Sequence, residues 1–403
     1  MKDRIAIIGA GIGGLAAALA LLRRGHDVQV YERAAELGEV GAGIQVTPNS
    51  SRVLIELGLE AEIMQAGTVS SGKTNYLWNT GQQSPFIRLG DNANQAFGAP
   101  YLLFHRADLH RILLDAVLKQ KPDAIALGKS FESMTASADG VDIRFEDGSS
   151  CRAGILVGAD GIHSRVRQTL FGQDNPEFTG CVAWRGLIPA ELIEDRIDLS
   201  GGGMWLGPTA HIVTYPVRKG RMLNFIGMVD RDDWTSESWV EARTHDECLR
   251  DFDGWHPNVL HMIRSIKTPY IWALKVRKPL PRWSVDRVTL LGDACHSTLP
   301  FLSQGANMAI EDGLVLARSL AQHDADPKTA LRVYEAARRE RTARITMSSA
   351  EQLHRVHNPQ LAHPDSAQAY IAREWSSSSV SDRYNWIYSY DATQVTLPVP
   401  SEP

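Results

Sequence analysis

A chain of 403 residues is too long for one compact core and predicts roughly two to three domain-sized units. Its 43 % hydrophobic and 22 % charged residues are ordinary for a globular protein. The formal net charge of −5, without a long basic run, argues against nucleic acid or a membrane surface as partner, and no stretch of about 18 apolar residues is present to span a bilayer.

The first elements form a βαβ pattern. Arg4–Ile8 reads as a short apolar strand, Gly13–Arg24 as an Ala- and Leu-rich helix ended by Gly25, and Asp27–Tyr31 as a second strand. A helix is predicted over Ser50–Leu57, with Asn49 as its N-cap and Gly58 beyond its end. Residues 73–100 are polar and rich in turn formers. Asp108–Lys119 reads as a helix. Ala124–Leu127, Ser133–Ala136 and Val141–Glu146 alternate like a β-meander, and Ile155–Val157 is a buried strand. From about residue 180 to 275, short β-type runs (Cys181–Leu187, His211–Pro216, Met222–Val229) predict a second, mostly antiparallel sheet. Val288–Leu291 returns to the buried-strand pattern. Ala306, Ile310, Leu314 and Ala317 follow at helical spacing. The chain then reads as charged helix to about residue 355, with Ser376–Ser379 as a loop or linker. Trp386, Tyr388 and Tyr390 predict a tail that packs down.

Cys151, Cys181, Cys248 and Cys295 form no C-x-x-C pair and no zinc spacing, so free thiols and no metal site are expected. The apolar run after Arg4 breaks at Gly9, too short for a signal peptide, and a cytoplasmic location is expected.

Gly9-Ala10-Gly11-Ile12-Gly13-Gly14 matches G-x-G-x-x-G between strand and helix. Gly9 permits the tight turn, Gly11 lets backbone approach a pyrophosphate, and Gly14 allows close helix–strand packing. The helix N-terminus favours the negative phosphates. Glu32 ends the second strand, where a carboxylate accepts from ribose hydroxyls and repels a 2′-phosphate. NAD and FAD satisfy this motif equally. Gly158-Ala159-Asp160-Gly161, with Ser164 and Arg167 following, and Gly292-Asp293 are two further strand-to-turn motifs. Taken singly, either carboxylate could simply cap the next helix.

Taken together, these motifs resemble the single-component flavoprotein aromatic hydroxylases related to p-hydroxybenzoate hydroxylase. The resemblance spans nearly the whole chain: the glycine fingerprint, His105-Arg106-Ala107-Asp108-Leu109-His110, the Asp160-Gly161 turn, and Leu290-Leu291-Gly292-Asp293-Ala294-Cys295-His296. Within the group the chain looks most like salicylate hydroxylase, 3-hydroxybenzoate 6-hydroxylase and 6-hydroxynicotinate 3-monooxygenase. The resemblance implies an α/β fold: a Rossmann-like FAD-binding domain (1–72, 101–175 and 276–350), an inserted antiparallel substrate domain (73–100 and 176–275), and a helical, aromatic C-terminal region (351–403).

It also implies roles. Arg106 contacts the FAD pyrophosphate or ribityl chain, Asp293 a ribityl hydroxyl, and Asp160 with Gly161 both FAD and the docking nicotinamide; Arg33 beside Glu32 joins the cofactor set. Gln304, Gly305, Ala306 and Asn307 begin a helix whose N–H groups face the flavin N1–C2 carbonyl edge. The alternative is a core helix merely capped by Ser303. His211 and Tyr215 lie four apart on a strand and so share a face. The resemblance points that face at the substrate, with His211 accepting a phenol proton or orienting the phenolate and Tyr215 donating to ring substituents. Gln45, Pro300 and Phe301 border the same pocket. Phe301 stands where the hydroxynicotinate enzyme has histidine, and Pro300 where the 3-hydroxybenzoate enzyme has glutamine. Both departures leave salicylate as the comparison by elimination.

The implied reaction takes hydride from NADH or NADPH into FAD, adds O2 to give a C4a-hydroperoxyflavin, and hydroxylates a small aromatic acid, with decarboxylation where the attacked carbon bears carboxylate. The protein is expected as monomer or homodimer. A flavin-dependent reductase or dehydrogenase on the same fold, a simple NAD dehydrogenase, and a non-catalytic nucleotide-binding protein are the alternatives.

Overall fold

The computed structural model describes residues 4–38, 42–88, 90–234 and 241–399. A six-stranded sheet runs in the order Ser284–Val285, Val288–Leu290, Ile155–Gly158, Ile5–Ile8, Val28–Tyr31, Ile125–Ala126. All its pairs are parallel except the hairpin between Ser284–Val285 and Val288–Leu290. The central strands are buried on both faces, as parallel strands covered by helices must be. Helix Ile12–Leu22 lies between this sheet and helix Gly305–Gln322. The two helices approach closely because a glycine of each faces an alanine of the other. A Cβ on Gly313 would sit 2.7 Å from the Ala17 nitrogen, and one on Gly13 2.9 Å from the Ala309 Cβ.

The second large sheet has eight strands, in the order Glu241–Ala242, Tyr270–Val276, Glu177–Pro189, Met222–Asp230, Ala210–Val217, Gly202–Leu206, Gly72–Leu77, Gln83–Arg88. It is antiparallel apart from the parallel pairing of Gly202–Leu206 with Gly72–Leu77. One face packs on helices His245–Asp251 and Pro257–Ser265 through Trp184, Phe225 and Phe252. A small sheet of Gly43–Val46, Leu102–His105 and Thr68–Val69 completes the join between the two halves.

Four sequence expectations need correction. Pro48 occupies the first helical position, so the cap of helix Pro48–Glu56 is Thr47, and Asn49 lies inside the first turn. Ile125–Ala126 joins the parallel sheet, so the meander consists of Phe131–Ala136, Val141–Phe145 and Ser150–Ala153. The polar stretch 73–100 holds a strand hairpin and helix Gly90–Phe97. Ser376–Ser379 is no linker, because the Ser376 side chain accepts from the Ser379 N–H and starts helix Ser377–Tyr388. The C-terminal aromatics do pack down: Tyr370, Trp375, Tyr384 and Tyr388 share a core with Tyr101, Leu103 and Tyr215. Among the described residues no helix is long and apolar enough to cross a membrane.

Candidate active site

The glycine turn is built around contacts that admit no side chain. Gly9 has φ 107°, and a Cβ there would lie 2.5 Å from the Ala159 carbonyl oxygen. A Cβ on Gly14 would fall 2.0 Å from the Gly9 oxygen, while Gly11 faces open space. No side chain caps helix Ile12–Leu22 and no acidic residue sits in its first turn. Glu32 accepts the Ala10 and Ala34 N–H groups, each at 2.9 Å, which fixes its carboxylate beside the turn. Arg33 is exposed on the loop beyond.

Asp160 does not line the central cavity. Its carboxylate accepts from Ser164 Oγ at 2.5 Å and from the Arg165 and Val166 N–H groups at 2.8 and 3.2 Å, so it braces helix Arg165–Phe171. Burial raises its pKa against those hydrogen bonds. Its Cα abuts Gly9, and Gly161 follows with φ 77°, which keeps both residues beside the nucleotide turn.

Asp293, Gly305, Ala306 and Arg106 do line the cavity. Gly292, with φ 64°, turns the chain so that Asp293 opens a short helix, and a Cβ on Gly305 would stand 3.7 Å from Asp293 Oδ1. Enclosure by protein raises the Asp293 pKa, opposed by His296 and Arg106. Helix Gly305–Gln322 starts at Gln304 without a side-chain cap, leaving its first N–H groups beside Asp293. Ser303, in the left-handed region at φ 56°, is not its cap. The Asn307 side chain is tied inward: its oxygen accepts the Thr47 N–H at 3.0 Å and its nitrogen donates to the Gln45 carbonyl at 2.9 Å.

The cavity measures about 250 Å³ and joins this platform to the eight-stranded sheet. His211 and Tyr215 border it together, as their spacing predicted, and Gln45, Pro300 and Phe301 lie on its wall. His211 Nδ1 is 2.7 Å from His357 Nε2, and His357 Nδ1 is 2.6 Å from Asp230 Oδ1. Asp230, 43 % exposed, is the only acceptor-only member and therefore sets the direction of the chain. His357 donates to it from Nδ1, so its Nε2 accepts from the His211 Nδ1–H. His211 Nε2 is left with a lone pair on the cavity side. Burial, and secondarily His357, hold the His211 imidazole well below its ordinary pKa.

Three participants escaped the sequence reading. His357 and Asp230 sit at the end of helix Pro327–Val356 and of strand Met222–Asp230, with nothing local to mark them. Lys73 was hidden in the supposed turn region, which holds strand Gly72–Leu77. Two groups, Cys181–Asp230–His357 and Cys295–His296–Asp312, also lie within metal-ligand reach of one another. In each the carboxylate already has a protein partner, His357 for Asp230 and Arg338 for Asp312.

Residues 2–349 match the family model of an FAD binding domain. The chain is 38 % identical over 394 residues to 3-amino-4-hydroxybenzoate 2-monooxygenase of Streptomyces platensis, covering 98 % of each protein. It belongs to the FAD-dependent aromatic monooxygenases. Another relative is 6-hydroxynicotinate 3-monooxygenase of Pseudomonas fluorescens, 38 % identical over 85 % of this chain and 89 % of that one. The fold superposes on a salicylate hydroxylase substrate complex with a TM-score of 0.79 at 29 % identity, over 97 % of this chain and 96 % of that one. The residues present suit the family's cofactor. Gly11 opens onto free space at an uncapped helix N-terminus, and a carboxylate meets a second uncapped helix at Asp293 and Gly305.

Proposed function

We propose that this monooxygenase hydroxylates a small, hydroxylated aromatic or N-heteroaromatic carboxylic acid, using O2 and NADH or NADPH. The observation that carries the reading is the cavity in which His211 and Tyr215 face Asp293, Gly305 and Ala306. FAD, when bound, supplies the hydride acceptance and oxygen activation that no side chain can provide. Gly9, Gly11, Gly14, Glu32 and Arg33 hold its nucleotide half; Arg106, Asp293, Gly305, Ala306 and the Asn307 backbone hold its flavin half; Asp160 and Gly161 support both. The chain then divides as the sequence suggests, with 1–72, 101–175 and 276–350 for the cofactor, 73–100 and 176–275 for substrate, and 351–403 as a cover.

His211 Nε2 accepts the substrate's phenolic proton, which makes the ring electron-rich at the carbon to be hydroxylated. The charge gained is shared through His357 toward the partly exposed Asp230, which gives the proton a way out of a closed site. Tyr215, whose phenol burial keeps protonated, donates a hydrogen bond to the ring substituents. Phe301, with its ring centroid 5.5 Å from that of His211, excludes water from the reacting edge. A salicylate-type acid is the narrower reading and rests on the apolar Pro300–Phe301 wall.

The test is a panel of hydroxylated benzoates and pyridine carboxylates on the FAD-loaded protein, scored by stimulated NADH and NADPH oxidation, O2 uptake and product mass. Matched O2 uptake and hydroxylated product support the proposal. Nicotinamide oxidation with no oxygen in the product makes the chain a reductase or dehydrogenase instead.

A further inference from the structure

Within the proposed function, the cavity contains a cation that the mechanism above leaves without a task. Lys73 lines it from strand Gly72–Leu77. Its Nζ donates to Gln45 Oε1 at 2.8 Å and lies 5.6 Å from the centre of the Tyr101 ring. No carboxylate pairs with it among the described residues.

The sheet register explains how it reaches the site. Lys73 pairs with Gly202 in parallel, and the neighbouring pair Gly203–Thr214 puts Tyr215 in the same row on the next strand. In-register residues on adjacent strands point to one face, so Lys73 and Tyr215 face the cavity together. Gly202 stands between them with no side chain. A Cβ there would lie 3.1 Å from Lys73 Cγ, so the lysine stem passes closely over the bare glycine. Gln45, the lysine's acceptor, also accepts from the Tyr101 hydroxyl and interacts with Tyr215. One end of the cavity is thus a cation ringed by hydrogen-bonding side chains. His211 stands four residues further along the strand, roughly 13 Å away by backbone rise.

We propose that Lys73 is the anchor for the substrate's carboxylate. An ammonium enclosed without a counter-ion carries a desolvation cost that an arriving anion offsets, and a neutral ring cannot do the same. The anchor at one end and the proton acceptor at the other select a ring whose acidic and hydroxyl substituents sit on well-separated carbons, which counts against the adjacent pair of a salicylate-type acid. Among the described residues, the other titratable groups at that end are Tyr101, Tyr215 and Tyr384, all phenols whose pKa burial raises, so these supply no competing charge. Arg106 and Asp293 face the cavity from the cofactor side.

The experiment uses FAD-loaded protein and matched probes, 3- and 4-hydroxybenzoate against their carboxamides, with binding read from the change in flavin absorbance. Wild type is expected to favour each acid over its amide. Lys73→Met should weaken the acids by about thirtyfold or more and the amides little, and Lys73→Arg should restore part of the difference. Burial lowers the Lys73 pKa to about 8, so acid affinity in wild type should fall as pH rises through that value while amide affinity stays level. Wild type that binds amides as well as acids, or binds none of the acids, overturns the proposal. So does a Lys73→Met protein that weakens both classes alike with full FAD content. Because flavin absorbance reports binding without turnover, a protein that binds acids through Lys73 yet forms no product refutes the proposed reaction and leaves the anchor standing.

Discussion

His211 can accept a proton only while its Nε2 is bare, and that depends on groups that never meet substrate. His211→Gln is expected to lower product formation about a hundredfold, the usual worth of a positioned base. The deficit should narrow as pH rises toward the phenol's own ionisation, read as product rate against pH. His357→Gln and Asp230→Asn test the relay at one remove. Each should slow product formation about tenfold or more and shift the pH profile, with FAD content and thermal midpoint close to wild type. A parallel drop at every pH would mean that the two side chains only pack. The depressed His211 pKa has its own sign: below its ordinary value near 6.5 the unfolded chain takes up a proton that the folded site refuses, so acidification removes stability.

At the scale of elements, helix Gly305–Gln322 is held from two sides. Against Ile12–Leu22 the contact is steric, and Gly313→Val has no room beside the Ala17 backbone. Overpacking of this kind costs about 1–3 kcal/mol, and here it should also displace the helix start at the cofactor site, seen as weaker FAD retention in equilibrium dialysis. Against helix Pro327–Val356 the contact is ionic. Buried Arg338 reaches Glu311 at 2.5 Å and Asp312 at 2.7 Å, and Arg341 reaches Glu311 at 2.8 Å. Arg338→Met strands buried carboxylates and is expected to cost about 3–5 kcal/mol in urea unfolding. Desolvation raises both carboxyl pKa values, but the arginines and, for Asp312, His296 outweigh it and leave both lowered. Their contribution is therefore complete above the ordinary carboxylate range and is lost as pH falls from there down through the lowered folded values. The elements themselves were readable where the signal is local. Gly9 to Gly14 and Glu32 lie within one βαβ unit, and the spacing of His211 and Tyr215 needs only strand alternation. The N-cap at Thr47 was missed because Pro48 fixes the start of its helix more firmly than the side chain of Asn49 does.

Over the whole molecule, what sequence could not supply is register between distant segments. Lys73 joins Tyr215 through Gly202, and His357 meets His211 across 146 residues; neither meeting leaves a local trace in one sequence. The C-terminal region likewise closes the cavity through Gln352, Val356 and Tyr384 rather than trailing from it. Tyr388 packs on Phe97, Tyr101 and Tyr384 with ring centroids 5.5, 5.9 and 5.6 Å away. Tyr388→Ala should cost about 3–5 kcal/mol in unfolding and loosen the wall next to Lys73. Wasted NADH or NADPH oxidation per product formed is the readout, and it should rise.

Strand Ala210–Val217 carries His211 and Tyr215, the proposed proton acceptor and phenol donor, on one face, at an even interval. Parity, more than distance, is what such a strand preserves. Two residues added between His211 and Tyr215 would lengthen the reach between them and keep both turned to the ring. One residue added would rotate a single member of the pair into the opposite core of Trp184 and Phe225. Variation in ring size along this lineage should therefore arrive through exchanged side chains or paired insertions, and odd-numbered insertions in this strand should be lethal to catalysis even where FAD still binds.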